Sequence, residues 1–90
     1  MKRITKERPG KELLEALGVE DWSPWECEPS EFGWEYDDQE TCFILEGRAR
    51  VKTPEGEEVE FGAGDLVRFP RGLKCTWTVT DKIRKVYKFG

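Results

Sequence analysis

From Phe32 to the end of the chain, hydrophobic and polar residues alternate with a period of two, the spacing of strands rather than helices. The fullest such stretch is 34–47, Trp-Glu-Tyr-Asp-Asp-Gln-Glu-Thr-Cys-Phe-Ile-Leu-Glu-Gly. Extended, it puts Trp34, Tyr36, Glu40, Cys42 and Ile44 on one face, apolar but for one carboxylate and one thiol. Phe43 and Leu45 fall on the other face, so this strand needs cover on both sides, as in a sandwich or barrel. Next, Ala49 and Val51 alternate with Arg48, Arg50 and Lys52; a turn at 54–57 leads to Val59 and Phe61 alternating with Glu58 and Glu60. Three further strands are predicted at 66–69, 75–79 and 83–89, separated by Gly, Pro and Asp. Short strands without intervening helices predict an all-β antiparallel sandwich or small barrel.

The first third of the chain reads differently. Residues 9–17 predict a short helix: Pro9 suits its first turn, Leu13, Leu14 and Leu17 form a stripe, and Gly18 suits a left-handed stop. A helix this short must dock on something to persist. In the stretch 19–30, Pro24 and Pro29 argue against long regular structure, and Trp22 and Trp25 are expected to pack it over the sheet as cover rather than to bind a ligand. One domain over 1–90 is expected, with helix and cover in 1–31 and strands in 32–90.

Composition narrows the classes. Four Trp and five Phe exclude a disordered tail despite the many charges. No apolar run approaches the roughly 18–20 residues of a membrane span, and the basic start has no apolar core behind it, so a cytoplasmic protein is expected. Cys27, Cys42 and Cys75 include no Cys-x-x-Cys pair and are read as reduced thiols, a single disulfide being the alternative. The net charge of −4 conceals segregation: residues 12–47 hold twelve acidic groups and no Lys or Arg, while 48–90 hold ten basic groups. A sheet that lays the last block beside the middle one would pair them. With a pI near 4.9 and no basic stripe, nucleic acid is not an expected partner.

At Gly64-Asp-Leu-Val-Arg-Phe-Pro-Arg-Gly-Leu-Lys-Cys75 the chain resembles the second signature of the cupin superfamily; Gly64, Pro70 and Gly72 match, and Cys75 stands in the place of a histidine. Glu40 with Gly47 resembles the end of the first signature, whose two histidines are replaced by Trp34 and Tyr36. More narrowly, Ser23-Pro24-Trp25, Trp34-x-Tyr36, Glu40-Thr41-Cys42 with Leu45-Glu46-Gly47, and Phe69-Pro70-x-Gly72-x-x-Cys75-x-Trp77 are similar to small single-domain cupins of a domain-of-unknown-function family. That family is grouped with ureidoglycine aminohydrolase and the ethanolamine-utilisation cupins. The resemblance implies a jelly-roll barrel, usually a homodimer, and leaves the activity undefined. Phe43 and Leu45, facing away from the pocket, also motivate the dimer.

A carboxylate facing an apolar core must be paired, hydrogen-bonded or used, so Glu40 is the residue to explain. In metal-binding cupins three His and one Glu hold the ion; here His is absent, Trp34 has no lone pair and Tyr36 ligates only as a phenolate. No metal cofactor is therefore expected; Glu40 and Cys75 would be the ligands if there were one, with Cys42 a third if it points inward. An enzyme is the alternative: a metal-free hydrolase or isomerase using Glu40 as acid or base with Tyr36 or Cys75 as partner, or, as the resemblance allows, a Zn- or Mn-dependent hydrolase related to ureidoglycine aminohydrolase. Against that stands a Glu40 that pairs with Arg, Lys or Tyr and only holds the barrel together. The preferred expectation is a metal-independent small-molecule pocket lined by Trp34, Tyr36, Glu40, Cys42, Cys75 and Trp77, favouring cationic or hydrogen-bond-donating ligands. A barrel filled by its own aromatic side chains, with no ligand, is the remaining alternative.

Overall fold

The structure, a computed structural model, describes residues 3–90. Seven strands, β1 (Thr5–Glu7), β2 (Ser23–Cys27), β3 (Ser30–Glu35), β4 (Glu40–Lys52), β5 (Glu58–Gly62), β6 (Leu66–Phe69) and β7 (Lys74–Phe89), form one antiparallel sheet. Its hydrogen-bonded path runs β1-β6-β4-β7-β2, with β3 added to β7 and β5 to β4. The sheet curls over a core without closing on itself, and the fold is the expected all-β jelly roll with one short helix.

The two long strands make the curl possible. Near its start β4 lies between β6 and the end of β7, and towards its end between β5 and the start of β7. The bend falls at 44–49, where the register to β7 slips and Gly47 takes φ 87°. A Cβ on Gly47 would overlap the carbonyl of Lys82 and come within 2.7 Å of the Ile83 Cα, so only glycine lets β4 cross β7 this closely.

Several expectations are corrected. Residues 34–47 are not one strand: β3 ends at Glu35, residues 36–39 bend with Asp38 Oδ1 accepting from the Gln39 N–H at 2.8 Å, and β4 begins at Glu40. The helix α1 spans Lys11–Leu17, because extended Gly10 takes the N-cap and leaves Pro9 outside; Gly18 closes it at φ 70° as expected. No residue of α1 is buried, so it docks only partly, against a 3-10 turn at Val19–Asp21 that itself meets β7. Ser23–Cys27, expected as cover, is an edge strand paired with β7, where the missing N–H of Pro24 is tolerated. Thr5–Glu7 adds a strand to β6 that the sequence pattern did not suggest. The two final strands are one, because Asp81 sits opposite Arg48 within a continuous β7.

The β4–β5 hairpin closes as predicted, with Ala49, Val51 and Phe61 buried and the Glu57 N–H donating to the Thr53 Oγ1 at 3.1 Å. The charge blocks pair as expected: Arg84 joins Glu46 at 2.7 Å and Glu26 at 3.5 Å, and Lys82 joins Glu28 at 3.5 Å. These exposed pairs contribute only a few tenths of a kcal/mol each, so they act more on register than on stability. The core is aromatic around Trp77, which is nearly fully buried against Phe32, Phe61 and Phe69.

Candidate functional site

The glycines and proline of the cupin-like stretch have a structural task. Gly72 adopts φ 85° and donates its N–H to the Tyr36 carbonyl at 2.7 Å, while the Tyr36 N–H donates to the Leu73 carbonyl at 2.9 Å. The Pro70–Leu73 turn thus clamps the corner between β3 and β4 and aims Tyr36 inward. Asp65 anchors the preceding turn: one carboxylate oxygen accepts from the Gly62 N–H at 2.8 Å and the other faces Arg8 at 3.2 Å.

That corner places Tyr36 beside Glu40. Glu40 does not face an empty core: its Oε2 accepts from the Lys85 Nζ at 2.7 Å, with both side chains about one-twentieth exposed. Lys85 enters from the middle of β7, between Ile44 of β4 and Trp25 of β2. Its ammonium lies 4.6 Å from the ring centroid of Trp77, 4.9 Å from that of Trp25 and 5.7 Å from that of Tyr87. Ring faces attract a cation at these distances, and attraction is strongest where water is excluded. The three rings give the buried ammonium partners beyond Glu40, which a buried charge needs.

Tyr36 stacks on Phe69, with centroids 4.9 Å apart, and its hydroxyl accepts from the Trp77 Nε1–H at 3.1 Å. Burial, followed by the neighbouring Glu40 carboxylate, pushes its ionisation far above the ordinary phenol range, so the hydroxyl keeps its proton. Among the described residues that proton has no acceptor within hydrogen-bond distance.

Above the Glu40–Lys85 pair opens a cavity of about 230 Å³, lined by Trp25, Phe32, Trp34, Tyr36, Glu40, Trp77, Lys85, Tyr87 and Phe89. Trp34 and Phe89, 50% and 51% exposed, are its wet aromatic rim. The second oxygen of Glu40 has no donor among the described residues, and no wholly buried side-chain oxygen there lacks one, so this oxygen opens to the cavity.

Four of the six sequence-predicted residues therefore meet here: Trp34, Tyr36, Glu40 and Trp77. Cys42 and Cys75 do not line the cavity. Cys42 is wholly buried, and its thiol is pushed up to about 12 by burial, which outweighs the pull of Lys85. Cys75 faces the Trp34 carbonyl, 3.7 Å from its Sγ, and is pushed up to about 11 by burial and then by Glu40. Both are protonated hydrophobes at neutral pH. No disulfide links the cysteines.

The sequence reading missed Lys85, Trp25, Phe32, Tyr87 and Phe89. A signal for Lys85 existed: Ile83, Lys85, Tyr87 and Phe89 share one parity, so an inward Ile83 carries Lys85 inward as well.

The donor chemistry does not suit the metal that many cupins carry. The Glu40 carboxylate is engaged by an ammonium, Cys42 and Cys75 do not line the cavity beside it, and Trp34 has no lone pair. Among the described residues no three Cys, Asp or Glu side chains gather in metal-holding geometry.

A curled sheet with a Gly72-clamped corner presenting Glu40 to an aromatic mouth defines a cupin. More narrowly, the chain belongs to the family of the EutQ-like cupin domain, which matches residues 14–87. A DUF861 family protein from Thermotoga maritima is similar over 98% of this chain and 100% of its own, with 46% identity and a TM-score of 0.96. The EutQ protein of Clostridium difficile is 25% identical over 71% of this chain, with a TM-score of 0.66, and this chain matches 50% of its length. A putative ethanolamine utilization protein Q from Salmonella typhimurium is 26% identical over 71% of this chain and 51% of its own, with a TM-score of 0.65. No curated protein matches the chain. It is a cupin-domain protein for which these relatives supply no specific activity.

Proposed function

We propose that this cupin binds a small organic molecule without a metal, in the aromatic cavity above Glu40 and Lys85. The carrying observation is the ion pair itself. Two charges that packing would otherwise exclude are held at the floor of a cavity that the chain's own side chains leave open. A pair serving only to hold the barrel would need no opening, and a barrel filled by its own aromatics would leave no such volume.

The acid–base enzyme reading has less support. Glu40 is engaged by Lys85, while Tyr36 and Cys75 hold their protons too firmly to act as bases near neutral pH.

A thermal-shift screen of small aromatic fragments tests the binding reading. Hits that raise the melting temperature of the wild type, and do so much less in Trp34→Ala, are expected. Trp34 is half exposed, so this variant should fold. A screen without hits, or with hits indifferent to Trp34, would remove the proposal.

We also propose a cytoplasmic homodimer. No helix among the described residues is long and apolar enough to cross a membrane. On the outer face of β4, Leu45 is 42% exposed beside half-buried Phe43, which suits cover by a second copy. Sedimentation as a monomer at tens of micromolar would refute the dimer.

A further inference from the structure

We infer that the cavity selects neutral, planar molecules that donate one hydrogen bond, of phenol or heteroaryl N–H type, and rejects both organic cations and organic anions. This inference rests on the cavity being a ligand site and adds the ligand's chemical class.

Charge comes first. The aromatic faces and carboxylate that would suit an organic ammonium already hold one, the Nζ of Lys85. A second cation would meet that ammonium across the cavity with no further carboxylate lining it. An anion seeking Lys85 would have to displace Glu40 from a 2.7 Å contact, leaving a carboxylate buried and unpaired. Lys85 thus removes the preference for cations expected from an apolar pocket holding one carboxylate. The floor is polar but neutral overall.

Hydrogen bonding comes second. Two groups on cavity-lining residues have unused capacity: the second oxygen of Glu40, which can only accept, and the Tyr36 hydroxyl, whose proton has no acceptor among the described residues. A donor on the ligand meets the first, and a lone pair on the same ligand atom or its neighbour meets the second. A phenol oxygen does both.

Shape comes third. The half-exposed rings of Trp34 and Phe89 rim a cavity of about 230 Å³, roughly eight water volumes, which suits one or two fused rings. Aromatic rings left wet at a cavity mouth gain most from a flat, apolar ligand.

The test is a matched series on the wild-type protein: phenol, anisole, benzoate and benzylammonium, read by quenching of tryptophan fluorescence and by calorimetry. Phenol should bind about tenfold more tightly than anisole, in which the donor is masked, as one hydrogen bond to a charged acceptor implies. Benzoate and benzylammonium should bind more weakly than anisole. Equal affinity for phenol and anisole, or a preference for either ion, would overturn the inference while leaving the cavity a binding site. If none of the four binds although the wider screen yields Trp34-dependent hits, the inference also falls and the binding reading stands. Replacing the pair together, as Glu40→Met with Lys85→Met, removes the acceptor without stranding a charge. In that double variant anisole should still bind and the advantage of phenol should vanish. An undiminished advantage there would locate the acceptor elsewhere and refute the assignment.

Discussion

The Lys85 ammonium and the Glu40 carboxylate, 45 residues apart in sequence, meet at 2.7 Å inside an aromatic enclosure and tie β7 to β4. Breaking this pair from one side strands the other charge. Lys85→Met and Glu40→Met should each destabilise the protein by about 3–5 kcal/mol, whereas the double replacement should cost far less than their sum. Urea unfolding of the four proteins checks this. Additive losses would mean that the two groups do not interact.

The enclosure around Lys85 is a cation site filled by the chain itself. Lys85→Ala should empty it, and propylammonium should then raise the melting temperature of the variant but not that of the wild type. At ten times its dissociation constant the ligand would contribute about 1.4 kcal/mol, or roughly 6–11 °C for a domain of this size. An equal rise in both proteins would place the ammonium elsewhere.

The Tyr36 hydroxyl is the sole hydrogen-bond acceptor of the Trp77 indole N–H among the described residues. Tyr36→Phe should cost about 1–3 kcal/mol, chiefly through the indole N–H left buried without a partner. Trp77→Phe removes the donor and leaves a cavity as well, so it should cost more. Both values come from denaturant midpoints, and a neutral Tyr36→Phe would contradict the contact.

The buried thiols set an alkaline limit. Folding raises Cys42 to about 12 and Cys75 to about 11 from an ordinary value of 9.0, so between these values the native state holds more protons than the unfolded one. Stability from this source is fully present below pH 9 and declines as pH rises through about 11 and 12. Cys42→Ala should make that decline shallower. Under native conditions iodoacetamide should modify half-buried Cys27 well before Cys42 or Cys75, as peptide mass mapping can follow.

Gly47 is irreplaceable on two counts, a left-handed backbone and a facing strand that leaves no room for a Cβ. Gly47→Ala should destabilise the protein by at least ~2 kcal/mol, or prevent folding. A soluble variant with an unchanged melting temperature would refute the close crossing of β4 and β7.

What the sequence made legible follows from the period of two. Alternation located Ala49, Val51 and Phe61 inside, and a lone carboxylate on an apolar face singled out Glu40 before its partner was known. The turn glycines and Pro70 exposed the cupin resemblance because their backbone geometry is specific. Lys85 stayed hidden because which residues of 83–89 turn inward depends on parity carried through β7, and the sequence reading broke that strand at Asp81. Trp25 was taken for cover because Pro24 beside it argued against a strand, a penalty that an edge position removes. The inward direction of Cys42 was legible, but its separation from the cavity depends on three-dimensional packing that alternation does not encode.

The most direct measurement of the central claim is a proton–nitrogen correlation spectrum of the indole N–H groups during titration with phenol. Of the four tryptophans, Trp25, Trp34 and Trp77 line the cavity and Trp22 does not. The account predicts saturable shifts in the first three indole signals, with that of Trp22 unmoved. Shifts confined to Trp22, or no saturable shift at all, would contradict it.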